Sequence, residues 1–199
     1  MKITDVEALY LRLPEIQART DSSQDALIVK ISTDAGITGW GEVDGCPYVT
    51  KAVIEAPMSH TLVTGLRQLL IGEDPLEITR LWRKMYQGTL YYGREGAVIQ
   101  AMAGIDLALW DIKGKAFQQP VYKLRGGGFR KRLRVYSSNM FQFTAEATAD
   151  RARKAKDTGF TAVSSAGSRS ARTQGPTAPI SRRSALRSAT RWTSCWMSA

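Results

Sequence analysis

The run Gly104-Ile105-Asp106-Leu107-Ala108-Leu109-Trp110-Asp111-Ile112-Lys113-Gly114-Lys115-Ala116 decides how the rest of the chain is read. It lies inside a longer helical pattern from Gly93 to Phe117. There Val98, Ala101/Met102, Ile105, Leu109, Ile112 and Ala116 recur at three- and four-residue spacing and make one apolar face. Ala101, Ala103, Gly104 and Ala108 are small, so the pattern predicts a close neighbour along this helix. Gly126-Gly127-Gly128 ends the helical block.

Upstream, the period changes from helical to alternating. Ile3, Val6, Ala8 and Tyr10, then Leu11 and Leu13, predict a strand with one irregularity. Ala26-Leu27-Ile28-Val29-Lys30-Ile31 is a second strand core, and Ile37 to Val43 a third. Asp34-Ala35-Gly36 between them is a hairpin signal. Three sequential strands with short turns predict an antiparallel meander. Pro14 to Gln24 is a long polar loop, a length that is often functional. Pro47 to Leu62 reads as a helix broken or kinked at Pro57. Asp74-Pro75 reads as the start of another, with Leu76, Thr79/Arg80, Trp82/Arg83 and Tyr86 along it.

Downstream, Leu133 to Ser138 predicts a strand and Thr144 to about Asp157 a helix, with Gly159 as its C-terminal signal. Phe160-Thr161-Ala162-Val163 begins a further strand. A strand–helix–strand order with a connection of this length is the opening of a parallel α/β fold.

The chain has 199 residues and a formal net charge of +10. Six of those charges are Arg169, Arg172, Arg182, Arg183, Arg187 and Arg191, in a stretch from residue 164 onward that has no lysine and no acid. The first 163 residues hold 22 basic and 18 acidic side chains, an ordinary balance. No helical or strand period survives in 164–199. Loss of Lys, Asp and Glu together, with Arg, Ser, Ala and stray Trp and Cys gained, is what a GC-rich coding sequence yields when read out of frame. The expectation is an aberrant, disordered basic tail. The other reading is an arm that meets nucleic-acid phosphates, with Trp192 and Trp196 stacking on bases. Two cysteines, Cys46 and Cys195, and one histidine, His60, exclude a disulfide framework and a Cys/His zinc cluster. No apolar run is long enough to span a membrane, and none at the start reads as a signal peptide.

The 104–116 run, followed by Gln119-Pro120-Val121-Tyr122-Lys123-Leu124 and the glycines, resembles the end of the N-terminal capping domain in the mandelate racemase/muconate lactonizing enzyme group of the enolase superfamily. Gly36-Ile37-Thr38-Gly39-Trp40-Gly41-Glu42 resembles that family's second hairpin. Gln118 stands where the family usually has Gly, and Arg125 where a Leu precedes the glycines. The resemblance covers residues 1–163. It implies an α+β fold: a three-stranded antiparallel meander plus helical bundle as capping domain over 1–128, then one βα unit of an incomplete TIM barrel over 129–163. The basic tail, 164–199, follows.

The resemblance also implies a chemistry. Family members abstract a proton α to a carboxylate with a Lys or His base and stabilise the enediolate on Mg²⁺; many are sugar-acid dehydratases, others racemases or cycloisomerases. The family base would follow the Phe-Thr-Ala-Val run, where this chain has Ser164-Ser165. No Asp or Glu lies beyond Asp157, so the carboxylates that would hold Mg²⁺ are not in this chain. Residues 132–199 suffice for about two βα-type units, not eight. The expectation is therefore no catalytic residue, no metal ligand and no cofactor of its own. It is a truncated member of the family, inactive, cytoplasmic and off the membrane. The substrate expected of the full-length family is a small-molecule carboxylate, its assembly is commonly homo-oligomeric, and nucleic acid is not the expected partner.

By resemblance, the substrate lid maps to Glu15–Gln24 and Asp44–Thr50, with Arg19, Thr20, Asp21 and Tyr48 as its site residues. Arg19 would pair with a distal charge of an acid substrate, and Tyr48 would stack or hydrogen-bond. The remaining candidates read as structure: Glu42 and Asp44 at a hairpin end, Asp106 and Asp111 on different faces of one helix, and His60 at the surface. Arg125-Gly-Gly-Gly-Phe-Arg-Lys-Arg132 lacks the Lys-Ser/Thr of a P-loop and reads as a domain-junction turn.

Overall fold

The computed structural model describes residues 1–16, 23–140 and 144–166. The chain divides into two compact units, one from Met1 to Phe129 and one from Arg130 onward.

In the first unit, β1 (Ile3–Arg12), β2 (Asp25–Thr33) and β3 (Thr38–Val43) form the expected meander in the order β1-β2-β3, antiparallel throughout. The irregularity in β1 is a register shift between Ile3 and Asp5. It lets Ile3 and Val6, three apart, both point into the core with Ala8. Leu11 and Leu13 end up exposed.

Four helices pack around this sheet: α1 (Pro47–Glu55), α2 (Leu66–Leu70), α3 (Ile78–Gly88) and the long α4 (Ala97–Phe117); a short α5 (Val121–Leu124) follows. The core joins Leu27, Val29 and Ile31 of β2 to Ile54, Leu81, Met85 and the α4 face Met102, Ile105, Leu109 and Ile112. The closest approach is between β3 and α4. A Cβ on Gly41 would sit 2.0 Å from the Gly104 carbonyl oxygen, and one on Gly39 would sit 2.1 Å from that of Ala108. Small residues on the helix and glycines on the strand thus let two backbones meet with no side chain between. Ala103, expected to share this role, faces outward.

Three expectations shift. Helix α1 ends at Glu55 rather than Leu62, because Ala56 precedes Pro57 and is held in extended geometry (ψ 130°). Asp74-Pro75 makes a turn, with Asp74 Oδ1 accepting from Leu76 N–H at 3.0 Å, and α3 starts only at Ile78. The buried face of α3 is accordingly Ile78, Leu81 and Met85, not the Thr79/Arg80–Tyr86 line. Helix α2 was not expected at all; five residues are too few to show a period.

Both outer edges of the sheet are covered by ion pairs one helical turn apart. On β1, Ala8 N–H donates to Glu55 Oε1 (3.1 Å), and Lys51 Nζ donates to the Ala8 carbonyl while pairing with Glu55. On β3, Trp40 N–H donates to Asp111 Oδ2 (2.9 Å), and Lys115 Nζ donates to the Thr38 carbonyl (2.7 Å) while pairing with Asp111. An edge strand whose backbone groups are so occupied cannot template another strand there.

In the second unit, β4 (Ser137–Met140), α6 (Ala145–Asp157) and β5 (Val163–Ala166) form one step of a parallel fold: strand, helix, strand, with β4 and β5 parallel. Thr144 caps α6, its Oγ1 accepting from Ala147 N–H at 3.1 Å, with Glu146 in the first turn and Lys154 and Lys156 in the last. The strand expected at Leu133–Ser138 begins only at Ser137, where its partner residue Val163 becomes available. Likewise β5 runs from Val163 to Ala166, three residues past the compositional break. No helix among the described residues is long and apolar enough to cross a membrane.

Candidate functional site

One end of the meander gathers both segments read as the lid. Arg12 pairs with Asp25 at the end of β1, and Leu27 pairs with Val43 at the end of β3. The segment after β1 and the segment after β3 therefore leave the sheet at the same end, with β2 between them. The first is pinned at its neck, where Leu13 N–H donates to the Gln24 carbonyl at 2.9 Å. Arg19, Thr20 and Asp21 lie outside the described residues. Tyr48 lies in the first turn of α1, mostly exposed.

The Tyr48 ring sits 4.6 Å from that of Tyr10, tilted by 48°. Tyr10 in turn donates its hydroxyl to Asp25 Oδ2 at 3.2 Å. Burial first, and the hydrogen bond to Asp25 second, push the Tyr10 phenol above its ordinary range, so it stays a neutral donor. This aromatic pair joins the end of β1 to the first turn of α1. The reading from sequence missed Tyr10 and Asp25 as members of this end; their positions at strand termini flanking the long loop were the available signal. At the foot of the second segment, Gly45 lies against Gln100, where a Cβ would meet Gln100 Oε1 at 2.4 Å.

On the outward side of α1, Tyr48, Val49, Val53, Val63, Thr64 and Tyr92 line an apolar groove of about 480 Å³. Tyr92 donates its hydroxyl to the Thr64 carbonyl at 2.9 Å. The Thr64 hydroxyl oxygen is buried in this wall with no hydrogen-bond partner.

The other candidates take structural roles. Glu42 and Asp44 are exposed at the end of β3. Asp111 serves the β3 edge. Asp106 is half-buried, and burial raises its carboxyl while Arg125 opposes the shift. His60 sits in a turn at 59–63, with its ring edge-on to Tyr91 at 5.5 Å and its Nδ1 placed to accept from Leu62 N–H. The Arg125 guanidinium lies 5.3 Å from the Trp110 ring centre, and the glycines after it lead to the boundary between the two units. Among the described residues no three of His, Cys, Asp and Glu converge on a point where a metal ion could be held. A hard cation such as Mg²⁺ needs oxygen ligands brought together, and the residues present do not fit it.

The sequence profile of the mandelate racemase/muconate lactonizing enzyme N-terminal domain matches residues 3–126. A D-galactonate dehydratase of Variovorax paradoxus is 45% identical over 114 residues, covering 56% of this chain and 27% of the dehydratase. Among solved structures, a mandelate racemase-like protein of Bordetella bronchiseptica complexed with 2-oxoglutarate/phosphate is 35% identical with a TM-score of 0.70, covering 84% of this chain and 44% of that one. A mandelate racemase/muconate lactonizing protein of Paracoccus denitrificans complexed with magnesium is 31% identical with a TM-score of 0.66, covering 82% and 41%. The chain thus spans about a quarter of the length of the curated relatives it matches and under half of these structures.

Proposed function

Because this chain belongs to the mandelate racemase/muconate lactonizing enzyme family, we propose that residues 1–128 are the capping domain of a cytoplasmic sugar-acid dehydratase, and that the 199-residue chain does not turn substrate over by itself. The capping domain closes on a small hydroxy-acid whose α-proton is removed elsewhere in the enzyme. Arg19, Thr20, Asp21 and Tyr48 are its substrate-facing residues. Closing them over the acid excludes water and selects the distal end of the substrate.

The observation that carries this reading is a division of labour along the chain. The 45% identity to a D-galactonate dehydratase extends over 114 residues, and the family's N-terminal-domain profile over residues 3–126. No carboxylate follows Asp157, and no metal-holding trio exists among the described residues. Residues 129–163 then serve as the first βα unit of the family's barrel, and the sequence after Val163 as a frame-shifted continuation.

Two experiments test it. The purified chain, supplied with D-galactonate and Mg²⁺, gives no dehydration product. A chimera that carries residues 1–128 in place of the matching part of the Variovorax enzyme dehydrates D-galactonate, and Arg19→Ala in that chimera raises KM at least tenfold. Turnover by the 199-residue chain, or a folded chimera without activity, overturns the proposal. The frame-shift part is read separately from the DNA: a +1 or −1 frame beyond codon 163 restores Lys and then Asp and Glu codons.

A second reading is favoured by the six arginines without a single acid after residue 163: a binding protein whose tail meets nucleic acid. It requires a salt-dependent shift with single-stranded RNA that disappears when residues 164–199 are deleted.

A further inference from the structure

We propose that the continuous stretch from Phe129 to Tyr136 is a binding site for single-stranded nucleic acid, separate from the tail. A junction turn accounts for Gly126-Gly127-Gly128 but not for the residues that follow them. The first 163 residues hold 22 basic and 18 acidic side chains, and Arg130, Lys131, Arg132 and Arg134 supply the whole of that excess within five positions. No Asp or Glu stands between Asp111 and Glu146 to offset them. Every residue from Arg125 to Tyr136 is exposed, and residues 127–136 form neither helix nor strand.

Charge is the first argument. Among the described residues, no ion pair holds Lys131, Arg132 or Arg134. Arg134 Nε donates to Thr161 Oγ1 at 2.9 Å, a neutral partner that leaves the cation uncompensated. Like charges at neighbouring positions repel one another, and a polyanion lying along them removes the repulsion. Three of the four are arginines, whose planar fork grips two phosphate oxygens at once.

Backbone geometry selects a long anion over a small one. A single phosphate would be cradled by the free N–H groups of consecutive glycines. Gly126 and Gly127 have φ of 111° and 89°, but their N–H groups are already used. Gly126 N–H donates to the Lys123 carbonyl (3.3 Å) and Gly127 N–H to the Tyr122 carbonyl (2.9 Å), closing the end of α5. The cations are instead strung along the chain, which suits the repeating charge of a phosphodiester strand.

Aromatic exposure selects single strands. Phe129 is 92% exposed and Tyr136 58%, one at each end of the basic run. Such rings stack on unpaired bases, which a duplex does not offer. A duplex major groove admits a helix or a two-stranded ribbon, and this stretch is neither. A membrane surface is met by basic residues on an amphipathic helix or beside a membrane span. This stretch forms no helix, and no helix among the described residues is long and apolar enough to span.

The test is fluorescence anisotropy of a labelled oligouridylate with the full chain, its tail made neutral by Arg169→Gln, Arg172→Gln, Arg182→Gln, Arg183→Gln, Arg187→Gln and Arg191→Gln. Binding is expected to persist, and the logarithm of the association constant to fall against that of salt concentration with a slope of about −3, as four phosphates are neutralised. Adding Lys131→Gln, Arg132→Gln and Arg134→Gln brings the slope to about −1 and weakens binding at least about tenfold. Removing three charges elsewhere, with Lys2→Gln, Arg83→Gln and Lys156→Gln, changes affinity less than about twofold. Phe129→Ala weakens binding at least about fivefold and leaves the slope unchanged, the mark of stacking rather than charge. All of the residues changed outside the tail are exposed, and far-UV circular dichroism checks that the variants keep the fold. No binding once the tail is neutral, an equal loss in the two triple variants, or retention on phosphatidylserine vesicles without RNA binding each overturn the proposal. The first of these assigns any RNA affinity of the chain to its tail.

Discussion

The two units of this chain handle the same problem, a sheet with edges, in opposite ways. In the first, Lys51–Glu55 takes up the outward backbone groups of Ala8 on β1, Lys115–Asp111 takes up the Trp40 N–H and the Thr38 carbonyl on β3, and Ile3 exchanges hydrogen bonds with the Gly72–Glu73 turn. One face of the sheet is sealed under α4. In the second, β4 and β5 are four residues each and pair with no third strand among the described residues. Ala155 is the one buried apolar side chain described there, while Leu133, Val135, Phe160 and Val163 are exposed. Parallel strands are ordinarily covered on both faces. The difference teaches that the first unit closes its own sheet, whereas the described strands of the second pair only with each other; in the reading proposed above, the second is the first βα unit of the family's barrel.

Core truncation breaks this comparison most sharply. Ile105→Ala is expected to cost about 3–4 kcal/mol of the first unit's stability, since Ile105 is fully buried under the sheet. Val163→Ala in the second unit is expected to cost less than about 0.5 kcal/mol. Urea denaturation followed by tryptophan fluorescence and by a probe in α6 separates the two. Equal effects would mean that the second unit has a core of its own.

Next comes the glycine contact. Gly41→Ala puts a methyl group 2.0 Å from the Gly104 carbonyl oxygen, so β3 and α4 must move apart. A loss of about 2–3 kcal/mol is expected, measured as a fall in denaturation midpoint.

The Glu73 cluster sharpens the comparison through pH. Hydrogen bonds from Arg80 and Lys84 pull the Glu73 carboxyl from 4.5 to about 2. Its folded pKa is below its unfolded one, so the stabilisation is complete above about pH 4.5 and lost as pH falls through about 2. Both basic partners are substantially exposed, which reduces its size to about 1 kcal/mol. Glu73→Gln should therefore lower stability by that amount at pH 7 and by progressively less as pH falls from about 4.5 through about 2. A pH-independent loss would assign Glu73 a packing role instead.

The smallest effect is a gain. Gln118, at the C-terminus of α4, has φ 51° and ψ 38°, the left-handed region. Gln118→Gly is expected to raise stability by about 0.5–1 kcal/mol, relief of strain outweighing the added freedom of the unfolded chain. A decrease would mean that the Gln118 side chain holds a contact worth more than its backbone strain.

Much of this architecture was legible in the residues. Alternation from Ile3 to Val43 and the Asp34-Ala35-Gly36 turn carried the meander, and the Ile105–Leu109–Ile112 spacing carried α4, because burial imposes those periods directly. The unexpected Gln118 in place of a family glycine pointed at a real backbone position. What stayed hidden depends on tertiary contact. The α3 face was misread because Asp74-Pro75 signals either a helix start or a turn, and packing chooses between them. The edge clamps could not be read, since i,i+4 pairs such as Lys51–Glu55 look the same on any solvated helix. The same holds for the Tyr10–Tyr48 contact, which joins strands and helix distant in sequence. Of the residues read as the lid, Tyr48 lies in the first turn of α1, and Arg19, Thr20 and Asp21 lie outside the described residues.

Hydrogen exchange on the 199-residue chain, resolved by segment, tests most directly the proposal that the first unit is a self-sufficient capping domain and the second the first βα unit of a barrel. Amides of β2, β3 and α4 should be protected at least a thousandfold, and those of β4, α6 and β5 less than tenfold. Equal, high protection across both units would contradict it.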